Sequence, residues 1–538
     1  MRQGFAKIAR DEKAFRSDNK SAPTLPVARR KATAMFAHQA EDRNALPFFT
    51  LLHDLLGYIQ QAARNGCPAH EVEQELWSHL LRLGRHAFGL FLGLQGTGDL
   101  GPSLALPDGT TAQRLESTHD RPYRSVFGDF TLARTVYGSR AGQKIAFVPL
   151  DARLQLPESD YSYLLQKWDQ ALGCEVAFAR VAATLHDVLG LKQPVDSLEH
   201  MNRHMAQAVE PFRQARPLPK PAKEAAVFVV SADGKGIVMR RGPDDPAPKA
   251  HRGKGDKANK KRMAVVGALY SVGRYPRSPE EVVAALFRDP RQPGQAAPRR
   301  PEPVGKHVWA RLSRAADGSL GEPIDAVFGW LKAELQRRNR GGVKEVVCLL
   351  DGQEALREGL RREPVVPQVV EVLDLLHVTP RLWQAAHLFH KEGSVEASAF
   401  VRQRLLRVLR GEVKGVVAGL RRLGKLRGLP AAQRQRLQVL CRYLKANASR
   451  MRYDEYLAKG YPIASGVIEG ACRHYVKDRL ERSGMRWSKA GAQAMLDVRS
   501  EYLNGDWEGF YQFRIDRETK RLYPQCKILE EVIWTLPA

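Results

Sequence analysis

Apolar residues recur at helical spacing between Phe48 and Leu92, first as Leu51, Leu52, Leu55 and Leu56, then as Val72, Leu76, Leu80 and Leu83. Asn65-Gly66 and Pro68 interrupt the run and predict two helices rather than one. From Tyr123 to Tyr137 the period shortens, with aromatic and β-branched residues alternating around Gly128-Asp129. That pattern predicts a hairpin with Arg124 and Arg134 on its edges. Helical spacing returns from Val176 to Leu189, and Gly190 makes a turn. Ser197 is placed to cap a second helix through Met205, carrying Arg203 and His204. Two helices joined this tightly suit a helix-turn-helix that reads DNA, or any other helical hairpin.

Beyond a Pro-rich stretch at residues 213–224, read as a stiff linker, strands and helices alternate. Ala225–Asp233 is an apolar run ending in an acid, with a turn expected at Gly234 and a second strand over Gly236–Arg241. Met263–Val272, Val343–Leu350 and Val369–His377 read as further strands, and Pro279–Arg288, Pro323–Arg338 and Arg381–His390 as helices. Residues 242–261 and 289–304 are polar or Pro-rich connections. Phe400–Leu444 is rich in Arg and Leu, helical, and broken near Gly428-Leu-Pro430. A last helix is expected from Ser465 to Trp487, with the Ser465 hydroxyl accepting from an early backbone N–H.

The fold class this predicts is multidomain α/β. A basic tail (1–42) precedes a mainly helical DNA-binding region (43–212), the linker (213–224) and the first part of a core (225–393). A helical insertion (394–455), an acid-bearing helix that ends the core (456–515) and a C-terminal tail (516–538) complete the chain. At 538 residues and 43% hydrophobic content, several packed cores are affordable.

Charge narrows the partner. Lys and Arg number 85 against 59 acids, a net +26, which favours a polyanion such as nucleic acid. No apolar run of about 18 residues occurs and the first residues lack a signal-peptide core, so a soluble cytoplasmic, nucleoid-associated protein without membrane contact is expected. The six cysteines are scattered without a paired spacing, which argues against a disulfide framework or zinc ribbon. Cys67-Pro-Ala-His70 has ligand-like spacing but no second pair nearby.

Three acids carry the candidate chemistry. Asp233-Gly234 and Asp351-Gly352 each end a hydrophobic strand, where α/β sites form, and glycine permits close approach. Glu469 stands in the first turn of the last helix, with Arg473 and Lys477 following at four and eight residues. Arg479, Arg482 and Arg486 extend that positive charge. Converging carboxylates repel unless a divalent cation neutralises them. Two Mg²⁺ ions, with Mn²⁺ able to substitute, would let Asp233, Asp351 and Glu469 serve in-line phosphoryl transfer. This order of acids and elements is that of an RNase H-like core, and 118 residues between Asp351 and Glu469 demand an insertion.

These residues carry a family resemblance. Ala232-Asp233-Gly234-Lys235-Gly236, Leu349-Leu-Asp351-Gly352 and Tyr461-Pro-Ile-Ala-Ser-Gly-Val-Ile-Glu469-Gly-Ala-Cys-Arg-His474 resemble bacterial insertion-sequence transposases of the DDE type, in the Kra-type group. The match continues through Asp478–Trp487 and Leu503-Asn-Gly-Asp-Trp507, over roughly residues 120–515. The resemblance implies magnesium-dependent cleavage at the ends of a mobile element, then attack of the freed 3′-OH on target DNA without a covalent protein intermediate. It also implies double-stranded DNA as partner, as terminal inverted repeats and target, and a homodimer or higher oligomer to bring two ends together. Asp374-Leu-Leu-His377 resembles an element of the related mutator-like and hAT-type enzymes, with a structural role favoured over catalysis. Arg473 and Lys477 are candidates to hold phosphates, and Trp487 either stacks on an unpaired base or packs in the core. A structure-selective nuclease on the same core, or a non-catalytic DNA-binding descendant, are the alternatives.

Overall fold

The computed structural model describes residues 46–138, 145–219, 223–240, 261–288, 300–314, 320–482, 484–532 and 534. The expected basic tail, and most of the polar connections 242–261 and 289–304, lie outside the described residues. The chain divides into two compact units, Met1–Leu156 with Tyr523–Ala538, and Pro157–Leu522. The division between the units falls after Leu156, inside the stretch 43–212 expected as the DNA-binding region. Part of the stretch expected as a C-terminal tail belongs to a helix of the second unit.

In the first unit α1 (Leu46–Asn65) and α2 (Ala69–Gly93) form the two expected helices. Short strands β1 (Ser103–Ala105) and β2 (Thr111–Arg114) lead into the hairpin of β3 (His119–Ser125) and β4 (Gly128–Arg134). Strands β5 (Tyr137–Gly138) and β6 (Ile145–Phe147) and helix α3 (Pro149–Leu154) follow. Arg134 is not a free edge cation: with Arg121 it grips Asp151 of α3 at 2.6 and 2.7 Å.

The second unit opens with α4 (Tyr163–Glu175), α5 (Phe178–Leu189), α6 (Val195–Ala206) and α7 (Val209–Ala215). Gly190 ends α5 in the left-handed conformation, at φ 70°. Helix α6 starts earlier than expected, behind Pro194 rather than at Ser197. The expected linker is no spacer. Buried Arg213 donates to Glu501 at 2.8 Å, and Arg216 bonds Glu334 at 2.7 Å and Asp506 at 2.5 Å. Ion pairs of this kind suit a segment seated in the protein, because a buried charge needs a partner.

A five-stranded mixed sheet follows: β7 (Val227–Val238), β8 (Lys261–Val272), β9 (Val304–Leu312), β10 (Glu345–Leu350) and β11 (Val370–Leu373), in the order β11-β10-β7-β8-β9. The first three run antiparallel; β10 and β11 add parallel on the other side of β7. Two expectations change here. The chain does not turn at Gly234, because β7 continues through it, with Asp233 opposite Val266 and Gly234 opposite Val265. Strand β9 lies largely beyond the predicted connection, where Val308, Ala310 and Leu312 bury one face of an alternating run.

Both faces of the sheet are covered, so β7 reads as a continuous apolar run. On one side Phe228, Val230 and Leu269 meet Val327, Phe328 and Leu331 of α9 (Gly321–Arg338), joined by Leu356 of α10 (Glu354–Arg362). On the other, Val229, Val347 and Leu349 share a core with Val378 of α11 (Leu375–Ala386), Leu405 of α12 (Val395–Leu409), Leu420 of α13 (Val413–Leu426) and Leu440 of α14 (Ala431–Ala446). Each such side chain contributes about 1.5–3 kcal/mol on burial. The helical insertion therefore shares the sheet's core instead of folding as a separate lobe. Helix α8 (Pro279–Leu286), capped by the Ser278–Glu281 capping box, and α15 (Tyr453–Ala458) close this side. Helices α16 (Gly466–Ala471), α17 (Asp478–Leu480), α18 (Lys489–Asn504) and α19 (Trp507–Leu522) end the unit.

Candidate active site

The parallel pairing of β10 with β7 ends at Leu350 opposite Ala232. Asp351 and Asp233 are the next residues on neighbouring strands, which lie about 4.8 Å apart in a sheet. Asp351 is thus a strand-end acid, as expected, whereas Asp233 sits within β7 where its parallel neighbour stops. Backbone N–H groups restrain both: Gly234 donates to Asp233 Oδ1 at 2.6 Å, and Gln353 to Asp351 Oδ1 at 2.8 Å. Gly352 is needed for packing, since a Cβ there would collide with the ring of Tyr443 from α14.

Glu469 is positioned from a third direction. Strand β11 stops at Leu373, and Asp374 caps α11 by accepting from the Leu376 N–H at 2.9 Å, so the strand expected through His377 ends at Leu373 instead. One helical turn later, the His377 Nδ1 lies 3.1 Å from Asp374 Oδ2. The buried Asp374 carboxylate also accepts from the Ser465 N–H at 3.3 Å and from the Ser465 hydroxyl. Ser465 therefore does not cap its own helix; the charged carboxylate is the stronger acceptor for its hydroxyl. Leu375 N donates to Ile463 O at 2.9 Å, completing the tie between α11 and the head of α16. Glu469 follows in the first turn of α16, which packs on β7 and β8. Among the described residues, Asp374, His377 and Glu469 offer ligand atoms all within 4.8 Å of one another.

The helix then changes hand-hold. Cys472–Lys477 is a π-helical turn, and α17 ends at Leu480, so no single helix reaches Trp487. Such a turn rotates the residues after it relative to strict α-helical spacing and is frequent at functional sites. Cys472, which sequence reasoning passed over, lies against the acids with Sγ 3.4 Å from Asp233 Oδ2.

The basic residues separate into two groups. Arg473, Lys477, Arg482 and Arg486 are exposed, and among the described residues no ion pair joins Glu469 to Arg473. Arg479 is buried: its Nε donates to Gly173 O at 2.6 Å, and its guanidinium lies between the rings of Phe178 and Trp487. Trp487 is held by its indole N–H to Leu480 O at 3.1 Å and by backbone bonds to Val238 and Arg240. Arg203 pairs with Glu199 at 3.6 Å on α6, whose Leu198, Met201 and Met205 are buried and which packs against α18 and α4. Its helix is built into the unit rather than held out from it.

Electrostatics link the acids. Burial pushes the Asp351 carboxyl above its ordinary value, and the Asp233 charge pushes it further. Burial likewise raises Glu469, reinforced by Asp374 and Asp233 and opposed by His377. The hydrogen bond to Asp374 raises His377, with Asp351 and Asp233 adding to it. The site thus gathers carboxyl groups that disfavour one another's charge, with His377 beside them. Its hard oxygen donors suit a divalent cation such as magnesium. Cys67 and His70 form no comparable cluster among the described residues.

No family model and no curated protein matches the chain. Among solved structures, the Drosophila P element transposase strand transfer complex aligns over 71% of this chain and 83% of that one, at 8% identity and a TM-score of 0.22. No helix among the described residues is long and apolar enough to cross a membrane.

Proposed function

We propose that the protein is a DDE-type DNA transposase acting through Asp233, Asp351 and Glu469 on an RNase H-like sheet. The observation that carries this is the register: two acids follow the last paired residues of adjacent parallel strands, and the helix bearing Glu469 packs on one of those strands, β7, and on its antiparallel neighbour β8. The sheet, with three antiparallel strands and two parallel strands added beside the first, supports the same reading. Asp233, Asp351 and Glu469 would hold magnesium, which when bound activates an attacking oxygen and neutralises charge building on the phosphate.

The chain's own residues do the positioning. Asp374 fixes the head of α16 and so the direction of Glu469, while fixing the His377 ring through Nδ1. Exposed Arg473, Lys477, Arg482 and Arg486 offer phosphate contacts that orient DNA without reading its sequence. Joining two element ends would take a homodimer or higher oligomer on double-stranded DNA.

Cleavage and joining of a labelled element end in Mg²⁺, repeated in Mn²⁺, test the reading. Asp233→Asn, Asp351→Asn and Glu469→Gln are each expected to abolish both products. Full activity in any one of the three overturns the assignment.

A further inference from the structure

Tyr443 of α14 lies against Gly352, the residue after Asp351, where a Cβ would collide with its ring and hydroxyl. Over the same ring stands Arg381 of α11, its guanidinium carbon 5.0 Å from the ring centre. Burial raises the Tyr443 hydroxyl above its ordinary value, Arg381 opposes the rise and Asp351 adds to it, so both charges lie close to one ring. Arg381 is also four residues beyond His377, and side chains at that spacing share a helix face. A guanidinium thus stands beside the acids from an element other than the one that carries Arg473 and Lys477.

What sets Arg381 apart is that its charge is not spent within the fold. It is half-buried, it donates to the neutral, exposed Gln384 at 3.2 Å, and among the described residues no ion pair includes it. Its neighbours differ. Arg357 pairs with Glu371 at 3.4 Å, and Arg450, whose charge also acts on Asp351, is 2% exposed and donates to Asn447. A guanidinium laid on an aromatic face is held in advance, and its planar fork fits two oxygens of one phosphate. An acidic peptide offers carboxylates for the same fork, but Asp233, Asp351, Asp374 and Glu469 stand close by and repel a ligand that brings no cation with it. A phosphodiester strand held to the acids through a divalent cation escapes that repulsion, and its neighbouring phosphates continue past the site.

We infer that Arg381, steadied on the Tyr443 ring, grips a phosphate flanking the one that is cut and so fixes the register of the DNA strand over the acids. The inference rests on the DNA-processing reading, but its main test is binding rather than catalysis. Single phosphates around the cleaved bond of a duplex element end are replaced, one at a time, by uncharged methylphosphonates. Affinity for the full chain bearing Asp351→Asn is read by fluorescence anisotropy. Expected is one flanking position where the neutral linkage weakens binding roughly tenfold to a hundredfold, the worth of a hydrogen bond to a charged group. Arg381→Gln should weaken binding of unmodified DNA by the same factor and lose nothing more from that methylphosphonate. It breaks no ion pair, so its melting temperature should be unchanged. Arg381→Lys keeps the charge without the fork and should retain a smaller penalty. Tyr443→Leu should also shrink the penalty, whereas Tyr443→Phe should preserve it. With the acids intact and Mg²⁺ present, Arg381→Gln should raise KM more than it lowers kcat, because the contact already exists before the reaction.

Equal penalties at every position overturn the inference, as does a methylphosphonate penalty that persists in full in Arg381→Gln. Inorganic phosphate that competes as effectively as unmodified DNA also overturns it, in favour of an isolated anion site. If the three acid variants are inactive, any of these results defeats the Arg381 contact and leaves the transposase reading standing. The expected pattern beside a fully active acid variant would do the opposite.

Discussion

Asp351 and Glu469 are carboxyls whose protonated form the fold favours, because burial and neighbouring acids penalise the charge. Their ordinary values are 3.8 and 4.5, and both are raised. The stability they contribute is therefore full below the ordinary carboxylate range and is lost as pH rises through the raised values. Asp351→Asn should accordingly melt higher than the unsubstituted protein in EDTA at pH 7.5, by a margin that shrinks toward pH 4. Mg²⁺ should raise the melting temperature of the unsubstituted protein and not that of the variant. Gly352 makes a separate residue-scale claim. Gly352→Ala would overpack against Tyr443 at a cost of about 1–3 kcal/mol, read from the denaturation midpoint, with the opposing Tyr443→Ala recovering part of it.

At the scale of elements, the decisive joint is between α11 and α16. Asp374 accepts from Leu376, from both the N–H and hydroxyl of Ser465, and lies against His377, so one buried carboxylate sets the relation of two helices. Ser465→Ala removes a hydrogen bond to a charged group, worth about 1.5–3 kcal/mol of stability. If the joint aims Glu469, strand cleavage by this variant should fall further than its folded fraction does, with the loss in kcat rather than in DNA affinity. Ser465→Thr, which keeps the hydroxyl, should restore both. Equal loss of activity and folded protein would reduce the joint to a structural clasp.

At the scale of the whole molecule, the net charge of +26 would, on the proposed reading, set how DNA is held. Each phosphate contact contributes a slope of about −0.9 in the logarithmic dependence of affinity on salt. Replacing exposed Arg473, Lys477, Arg482 or Arg486 with Ser should flatten that slope by roughly 0.9 apiece if each meets a phosphate. An unchanged slope in all four would place the DNA elsewhere. Arg203, tied to Glu199 on a helix packed into the unit, should change it least.

The sequence by itself determined the local elements whose periodicity is strong: α1 and α2, the hairpin near Gly128, β8, β10, α9 and the helices between Val395 and Ala446. It also singled out Asp233 and Asp351, because an acid after an apolar run is visible without a partner, and Glu469 from its place in the first turn of a helix. Tertiary structure decided what depends on contacts distant along the chain. Gly234 resembled a turn but lies in β7, where β8 pairs with it on one side. The Pro-rich linker carries Arg213 and Arg216 into buried ion pairs, whose acids stand more than a hundred residues away. Ser465 resembled a cap until Asp374 supplied a stronger acceptor, and the regular helix after Glu469 gave way to a π turn. Arg479 looked like one cation among several; only packing shows that it is buried between two aromatic rings, while its neighbours face solvent. Short-range pattern records which backbone a segment prefers, but a side chain's role is set by the donors, acceptors and charges that folding brings beside it.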